Sequence, residues 1–249
     1  MSEGLLAKVR SLAGRLARSA GLLPTSGSPD GPVLRGYINA REVIKSAAAA
    51  GTDVDTYIEA HFGWKGFNSQ AEDAAERLVA AGALSSATGR VLEIGSGSGR
   101  HLKAIKRRFP AVALTAYEAD PVWRAFLREQ YGAETPDVQG ELLAGTESGS
   151  VDLVISEVTL VYLPFLSVVS YWNESARVLR PGGFLHFNVF TEQSFTPEKL
   201  DYWMSTAHRY PAIMPRDFLV NLLVHRGFSL VMEDNEADPE TTYFLFRRT

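Results

Sequence analysis

The sequence contains no cysteine, no long apolar run and no excess of basic residues. The absence of cysteine excludes disulfides, thiolate metal sites and a cysteine nucleophile. Since no apolar run approaches the roughly 20 residues that a membrane-spanning helix needs, we expect no such helix. The formal net charge of −4 argues against an overall positive field, so we expect no nucleic-acid partner.

Residues 1–36 differ from the rest of the chain in composition. Leucines at helical spacing in residues 1–20 are interrupted by four basic residues, which leaves no continuous core for a secretory signal, and we expect a cytoplasmic protein. Residues 23–32 are rich in turn formers and predict a linker. The N-terminal helix has two interpretations. We favour packing on the protein's own body over contact with an anionic membrane or a partner.

Residues 37–87 are predicted to form a helical preface. Asn39 can cap a helix that runs to Ala50, and Thr52 or Asp53 can cap a second that ends near His61. The apolar spacing predicts a third helix over residues 69–82.

The stretch at residues 90–100, R-V-L-E-I-G-S-G-S-G-R, organises the remainder of the chain. Its short apolar run is typical of a buried parallel strand, and the helical pattern from His101 ends before Pro110. Glycines at alternate positions allow the backbone to approach a ligand closely. Strand, glycine turn and helix together predict a cradle whose amides face a cofactor. A tight turn without a ligand would need only one glycine.

The spacing of the glycines distinguishes two classes of cofactor. A dinucleotide site would place Gly or Ala at position 100, where this chain has Arg100. The pattern E-x-G-x-G-x-G instead resembles the first motif of class I S-adenosylmethionine-dependent methyltransferases. The resemblance implies that the loop lies against the methionine part of the cofactor. It also implies that Glu93 holds both the loop and the cofactor's amino group.

Glu118 is the candidate ligand for a ribose. Residues 113–117 predict a second strand, and Asp120 with Pro121 can open the next helix. An acidic residue at this strand end, about 20 residues after the glycines, can accept hydrogen bonds from ribose hydroxyls. The methyltransferase family has its ribose-binding acid at the matching position.

Later segments match the same family in order. Residues 137–142 resemble its third strand, with Glu141 for the adenine amino group and the Leu142 amide for a ring nitrogen. Residues 151–156 resemble its fourth strand, and R-V-L-R-P-G-G at 177–183 precedes its fifth. The resemblance spans residues 88–249 and implies a doubly wound α/β fold, with seven strands and an antiparallel last strand.

The resemblance also implies a set of cofactor-binding residues and a place for the acceptor. Residues 191–216 are longer than a normal connection, and we expect them to form a wall of the acceptor pocket. The cofactor-binding set comprises Glu93, Gly95, Ser96, Gly97, Gly99, Glu118, Ala119, Glu141, Leu142 and Ser156.

Three residues are candidates for catalysis. Glu157 follows the fourth strand, and the apolar loop beside it is expected to raise its pKa toward that of a useful general base. Tyr162 can orient an acceptor, and His208 can reach the site from the insert. Two further histidines are alternative candidates for a catalytic role. His101 is close to the cofactor and can instead contact its carboxylate. His186 lies within the fifth strand, where a structural role in the core is more common. No group of residues has metal-ligand spacing, so we expect no metal.

These observations predict an S-adenosylmethionine-dependent methyltransferase with a small-molecule acceptor. The signature N-P-P-Y of amino-group methylation on nucleic acid or protein is absent after the fourth strand. This absence argues for a small-molecule acceptor, and we expect O-methylation of a hydroxyl in a metabolite, sugar or natural product. Two alternatives stay open: methylation of an amine or a carboxylate, and a non-catalytic protein that binds the cofactor and serves a partner.

Overall fold

A computed structural model describes residues 38–62, 66–137, 142–205, 213–235 and 241–249. The predicted N-terminal helix and the linker lie outside the described residues, as do Glu141 and His208. No helix within the described ranges is long and apolar enough to cross a membrane.

A mixed sheet of six strands forms the centre of the described chain. Its strand order is β2-β1-β3-β4-β6-β5, in which β6 runs antiparallel to both of its neighbours. The strands are β1 (Arg90–Ile94), β2 (Ala113–Tyr117), β3 (Val151–Ser156), β4 (Leu179–Val189), β5 (Phe228–Asp234) and β6 (Thr242–Arg248). The predicted α/β class and the antiparallel last strand are confirmed.

The central strands are buried on both faces, which explains their continuous apolar sequences. Successive side chains point to opposite faces of a strand. Leu92 therefore packs in one core cluster with Val154, while Val91 packs in the other with Leu153. Val91 is paired with Leu114 on one side and with Leu153 on the other, so β1 is an inner strand of the parallel part of the sheet.

The predicted number of seven strands is wrong for the described part of the chain, which has six. Beyond β2, the described residues extend the sheet only by an isolated bridge between Thr115 and Glu134. There Glu134 donates its amide to Leu114 and accepts from Ala116, each at 2.8 Å. Pro136 follows and has no N–H to extend the ladder. The predicted third strand falls mainly on residues 138–141, outside the described residues, and Leu142 lies in a turn.

Eight α-helices flank the sheet in the described ranges. They are α1 (Ala40–Ala49), α2 (Val54–Phe62), α3 (Phe67–Ala80), α4 (Arg100–Arg108), α5 (Pro121–Tyr131), α6 (Phe165–Val178), α7 (Pro197–Ser205) and α8 (Arg216–His225). Side-chain caps explain several starts: Asn39 accepts from the amide of Glu42, and Asp120 accepts from that of Val122.

Helix α3 begins at Phe67 rather than at the predicted Ser69. The carboxylate of Glu59, on the preceding helix, accepts from the amides of Gly66 (3.1 Å) and Asn68 (3.2 Å). These amides are orphan donors at a helix start, and a distant side chain satisfies them. No local capping side chain marks this start in the sequence, because the acceptor lies on the preceding helix.

Charged side chains connect the preface to α4, the helix that follows the glycine loop. Lys103 donates to Asp53 at 3.2 Å and to Asp55 at 3.1 Å, and the side chain of Asp55 is only 2% exposed. Arg107 and Arg108 both contact Glu72. The exposed pairs contribute little singly, whereas the buried Asp55 would lose its cation if Lys103 were removed.

Asp152 fixes the start of β1 against β3. Its Oδ2 accepts from the amides of Gly89 (2.8 Å) and Arg90 (2.7 Å), and its Oδ1 pairs with the guanidinium of Arg180. Burial alone would raise the pKa of Asp152, but Arg180 and the two amides outweigh that effect and hold the pKa below its usual value. The carboxylate thus joins three segments: the entry to β1, β3 and the beginning of β4.

Replacing Asp152 with alanine should lower the free energy of unfolding by about 1–3 kcal/mol, because the amides of exposed Gly89 and partly buried Arg90 lose a charged acceptor. Urea denaturation at neutral pH measures this change. Asp201→Ala is the control, since Asp201 is exposed on α7. Equal denaturation midpoints for Asp152→Ala and the wild type would contradict the assigned role.

Candidate functional site

The candidate site lies at the carboxyl ends of β1, β2 and β3. Parallel strands bring their carboxyl ends to one edge of a sheet, which is where open α/β sheets bind ligands. Here that edge carries the glycine loop after β1, Glu118 after β2 and Glu157 after β3. The segments that the sequence nominated separately therefore meet in one place.

The three glycines of the loop serve different purposes. Each has a positive φ: 74° at Gly95, 51° at Gly97 and 78° at Gly99. A Cβ at Gly95 would lie 2.2 Å from Oγ1 of Thr159, and one at Gly99 would lie 2.5 Å from Cδ2 of Leu127. At Gly97 nothing lies within 4 Å of that position. Protein packing requires the outer two glycines, and Gly97 alone faces open space that a ligand can use.

Glu118 contacts the glycine loop directly. Its Oε2 accepts from the amide of Gly97 and its Oε1 from that of Asp120, both at 2.8 Å. Burial raises the pKa of Glu118, and the two amide hydrogen bonds offset part of that effect. Each carboxylate oxygen can accept a further hydrogen bond. A desolvated carboxylate at this position is suited to hydroxyl donors from a ligand.

Glu93 has an unsatisfied acceptor beneath the same loop. The residue is 1% exposed, and its Oε1 lies 2.8 Å from Nδ1 of His101. In the described structure its Oε2 is buried without a hydrogen-bond partner. Buried acceptors normally find donors, so an exception at a ligand edge needs an explanation. A cationic or N–H donor supplied by a ligand would satisfy it.

A buried chain of alternating carboxylates and imidazoles continues from Glu93. Nε2 of His101 lies 3.1 Å from Oε2 of Glu157, and Oε1 of Glu157 lies 2.8 Å from Nε2 of His186. Nδ1 of His186 lies 3.0 Å from the carbonyl oxygen of Phe244 and therefore donates a proton to it. The chain joins β1, α4, the end of β3 and β4 behind the glycine loop.

The predicted rise in the pKa of Glu157 is wrong. Burial would raise that pKa, but the charges and hydrogen bonds of His101 and His186 hold it well below the usual value. Burial alone would lower the pKa of His101, but the contacts with Glu157 and Glu93 outweigh that effect and raise the pKa to about 9. At neutral pH Glu157 is ionised beside an imidazolium. The apolar neighbours of Glu157 along the chain do not reveal these two histidines, which only the fold brings close to it.

The remaining candidate residues lie in the glycine loop, at the end of β3 or in the segments that follow β2 and β3. Ser96 is buried, and Ser156 donates to the carbonyl of Ile94 at 3.3 Å. Ala119 lies between Glu118 and Asp120. Tyr162 ends a 3₁₀ turn, Leu160–Tyr162, in the loop after β3 and is half-buried. Their roles stay predictions.

Thr159 and Asn188 are part of the site although the sequence analysis did not single them out. Thr159 fills the space beside Gly95, and Asn188 binds the loop after β3. Both contacts join segments far apart in the chain, so no local pattern indicates them. The only hint is the glycine at position 95, which signals that something must pack closely there.

The free energy of unfolding should decline as the pH rises from about 6.5 to 9. The pKa of His101 is raised in the folded state, so its stabilising charge is fully present below the unfolded pKa of 6.5. That contribution is lost as the pH passes about 9. Urea denaturation across this range measures the decline, which His101→Gln should flatten. His225→Gln, at an exposed histidine, should retain it. A wild-type profile that is level from pH 6 to 9 would refute the charged state of His101.

Comparison with known proteins identifies a family for part of the chain. Residues 92–187 match the family model of a methyltransferase domain. A curated relative, a malonyl-[acyl-carrier protein] O-methyltransferase from Chlorobium phaeovibrioides, is 37% identical over 108 residues. That alignment covers 41% of this chain and 41% of the relative, so the match spans less than half of the relative's length.

Solved structures share the fold at low sequence identity. An S-adenosylmethionine-dependent methyltransferase from Mesorhizobium loti has a TM-score of 0.53 at 16% identity, covering 71% of this chain and 100% of that one. An O-methyltransferase family protein from Burkholderia thailandensis has a TM-score of 0.54 at 18% identity, covering 77% and 63% respectively. At these identities the comparison supports the fold alone.

Proposed function

We propose that this chain, whose residues 92–187 match a methyltransferase domain, is a class I S-adenosylmethionine-dependent methyltransferase and that it methylates an oxygen atom of a small molecule. The observation that carries the proposal is the contact between the glycine loop and the carboxylate that ends β2. The amide of Gly97 donates to Glu118 at 2.8 Å, and the space in front of Gly97 is open. A loop and an acid in this arrangement can hold two ends of one nucleoside-bearing ligand.

The residues at this edge fit S-adenosylmethionine. We assign Glu118 to the ribose hydroxyls, because its buried oxygens can each accept a further hydrogen bond. The free Oε2 of Glu93 fits the cofactor's amino group, which is a cationic donor. The open face at Gly97 fits the methionine part. Glu141 and Leu142 are proposed for the adenine, with Ser96, Ala119 and Ser156 as further lining.

Alignment is the main contribution that this chain makes to the reaction. When bound, S-adenosylmethionine supplies a methyl carbon that its sulfonium already makes electrophilic. Correct placement of a nucleophile is worth about 7–11 kcal/mol of the barrier. We propose that residues 37–87 cover the site, that residues 191–216 form a wall of the acceptor pocket, and that Tyr162 orients the acceptor.

The state of Glu157 favours an acceptor that ionises without help. A carboxylate of low pKa is a weak proton acceptor, because general-base catalysis works best with a pKa near the working pH. Both oxygens of Glu157 also contact imidazoles. We therefore propose that Glu157 anchors the buried chain. A carboxylate or an acidic phenol needs no strong base, and for a less acidic hydroxyl His208 is the proposed proton acceptor.

The curated relative supports an oxygen atom as the methyl acceptor. Its name describes O-methylation of a malonyl group on a carrier protein. We propose that the acceptor atom for this chain is likewise an oxygen. The proposal does not include the carrier protein, because the alignment covers 41% of each chain.

Glu118→Ala should weaken S-adenosylmethionine binding at least tenfold, because the carboxylate that accepts from the ribose and orders the Gly97 amide is removed. Isothermal titration calorimetry measures the affinity. Glu134→Ala is the matched control, since Glu134 is an exposed glutamate on the bridge beside β2. If both variants bind as the wild type does, the ribose assignment fails.

Release of S-adenosylhomocysteine tests the reaction itself. The protein and S-adenosylmethionine are incubated with separate pools of carboxylates, phenols, aliphatic alcohols and amines. We expect release at least tenfold above the rate without acceptor in the carboxylate or the phenol pool. Release in the amine pool alone would instead indicate N-methylation. Cofactor binding without release in any pool would indicate a non-catalytic binding protein.

A further inference from the structure

Val158, directly after Glu157, has an unusual backbone conformation. It is the one non-glycine residue in the described ranges with a positive φ, at 55°. In this left-handed region the Cβ of an L-residue crowds the following carbonyl, and a β-branched side chain makes the conformation rarer still. The side chain is 42% exposed, so its own burial does little to hold it there. Another group must stabilise the turn.

Asn188 on β4 is that group. Its Oδ1 accepts from the amide of Val158 at 2.7 Å, and its Nδ2 donates to Oγ1 of Thr241 at 2.9 Å. The backbone amide can only donate, which fixes the orientation of the Asn188 side chain. Asn188 is 1% exposed and has both ends engaged, so it is a rigid support for a conformation that the chain would otherwise avoid.

The strained turn delivers the next residue, Thr159, to the glycine loop. Oγ1 of Thr159 lies 3.2 Å from the carbonyl oxygen of Gly95 and 3.3 Å from that of Glu157, so its proton is shared between them. The side chain of Thr159 also occupies the space that a Cβ of Gly95 would need. Thr159 therefore packs so closely against the loop that position 95 has room only for glycine.

We propose that Asn188 is a positioning residue for the cofactor loop, acting through the turn at Val158 and Thr159. Asn188 holds Val158 in the left-handed conformation, which seats Thr159 on Gly95 and fixes the loop in the shape that binds the cofactor. This inference rests on the proposed function, because it assumes that the loop binds S-adenosylmethionine. Strain kept next to a ligand-binding loop is a recognised sign of such a role.

A double-mutant cycle with S-adenosylhomocysteine as the probe tests the coupling. Asn188→Ala should raise the Kd at least tenfold, since the turn relaxes and Thr159 leaves the loop. Val158→Gly removes the steric cost of the left-handed turn, so this variant depends less on Asn188. In the Val158→Gly background, Asn188→Ala should raise the Kd less than threefold. Calorimetry gives each Kd, and thermal unfolding gives each Tm.

Further variants separate positioning from general loss of stability. Asn188→Asp keeps the acceptor for the Val158 amide and should keep the Kd within threefold of the wild type. Asp152→Ala removes another side chain that accepts from backbone N–H groups, at the end of β1 opposite to the glycine loop. It should lower the Tm without changing the Kd. If Asn188→Ala does not fold, Thr159→Ala replaces it, with the same tenfold weakening expected.

Three outcomes would overturn the inference. In the first, Asn188→Ala, or Thr159→Ala in its place, binds the probe within twofold of the wild type. In the second, Asn188→Ala weakens binding equally in both backgrounds, which would mean that Asn188 does not act through Val158. In the third, the wild type itself does not bind S-adenosylhomocysteine. This last result would overturn the cofactor assignment as well, whereas the first two leave the proposed function intact.

Discussion

The hydrogen bond from the Gly97 amide to the Glu118 carboxylate is the contact on which the site depends. It joins the loop after β1 to the end of β2, and these strands are neighbours only because the sheet places them in parallel register. Burial makes the free carboxylate costly, so the folded chain gains by supplying donors to it. The same requirement makes Glu118 receptive to hydroxyl groups from outside. Stability of the loop and the proposed recognition of a ribose thus use the same oxygen lone pairs of Glu118.

Behind this contact lies the buried chain of Glu93, His101, Glu157 and His186. Because these side chains are shielded from water, their charges must be offset by one another. Two carboxylates and two imidazoles alternate, and the positive charge of His101 offsets the negative charge of Glu157 beside it. Isolated buried charges would be expensive, whereas alternating ones support one another. The arrangement also explains why Glu157, at the ligand edge of β3, is an anchor for the local structure and a weak proton acceptor.

The sequence predicts the features that depend on local chemistry and misses those that depend on distant contacts. The strand–glycine–helix unit, the cap at Asn39 and the helix opened by Asp120 are local and are confirmed. The pKa of Glu157 depends on His101 and His186, which only the folded chain brings near, and the prediction for it is wrong. The start of α3 depends on Glu59, and the turn at Val158 depends on Asn188, for the same reason. Among the described residues, the pairing of the sheet beyond β2 is limited to a bridge at Glu134, which apolar patterning does not reveal.

The packing of Thr159 against Gly95 restricts how this site can be exchanged with that of another enzyme. A Cβ at position 95 has no room while threonine stands at position 159, so the two positions form one steric unit although 64 residues separate them. A chimera that imports a loop with alanine in place of Gly95 would need a smaller residue at position 159 in the same step. Grafting the contiguous loop alone would transfer an incomplete module.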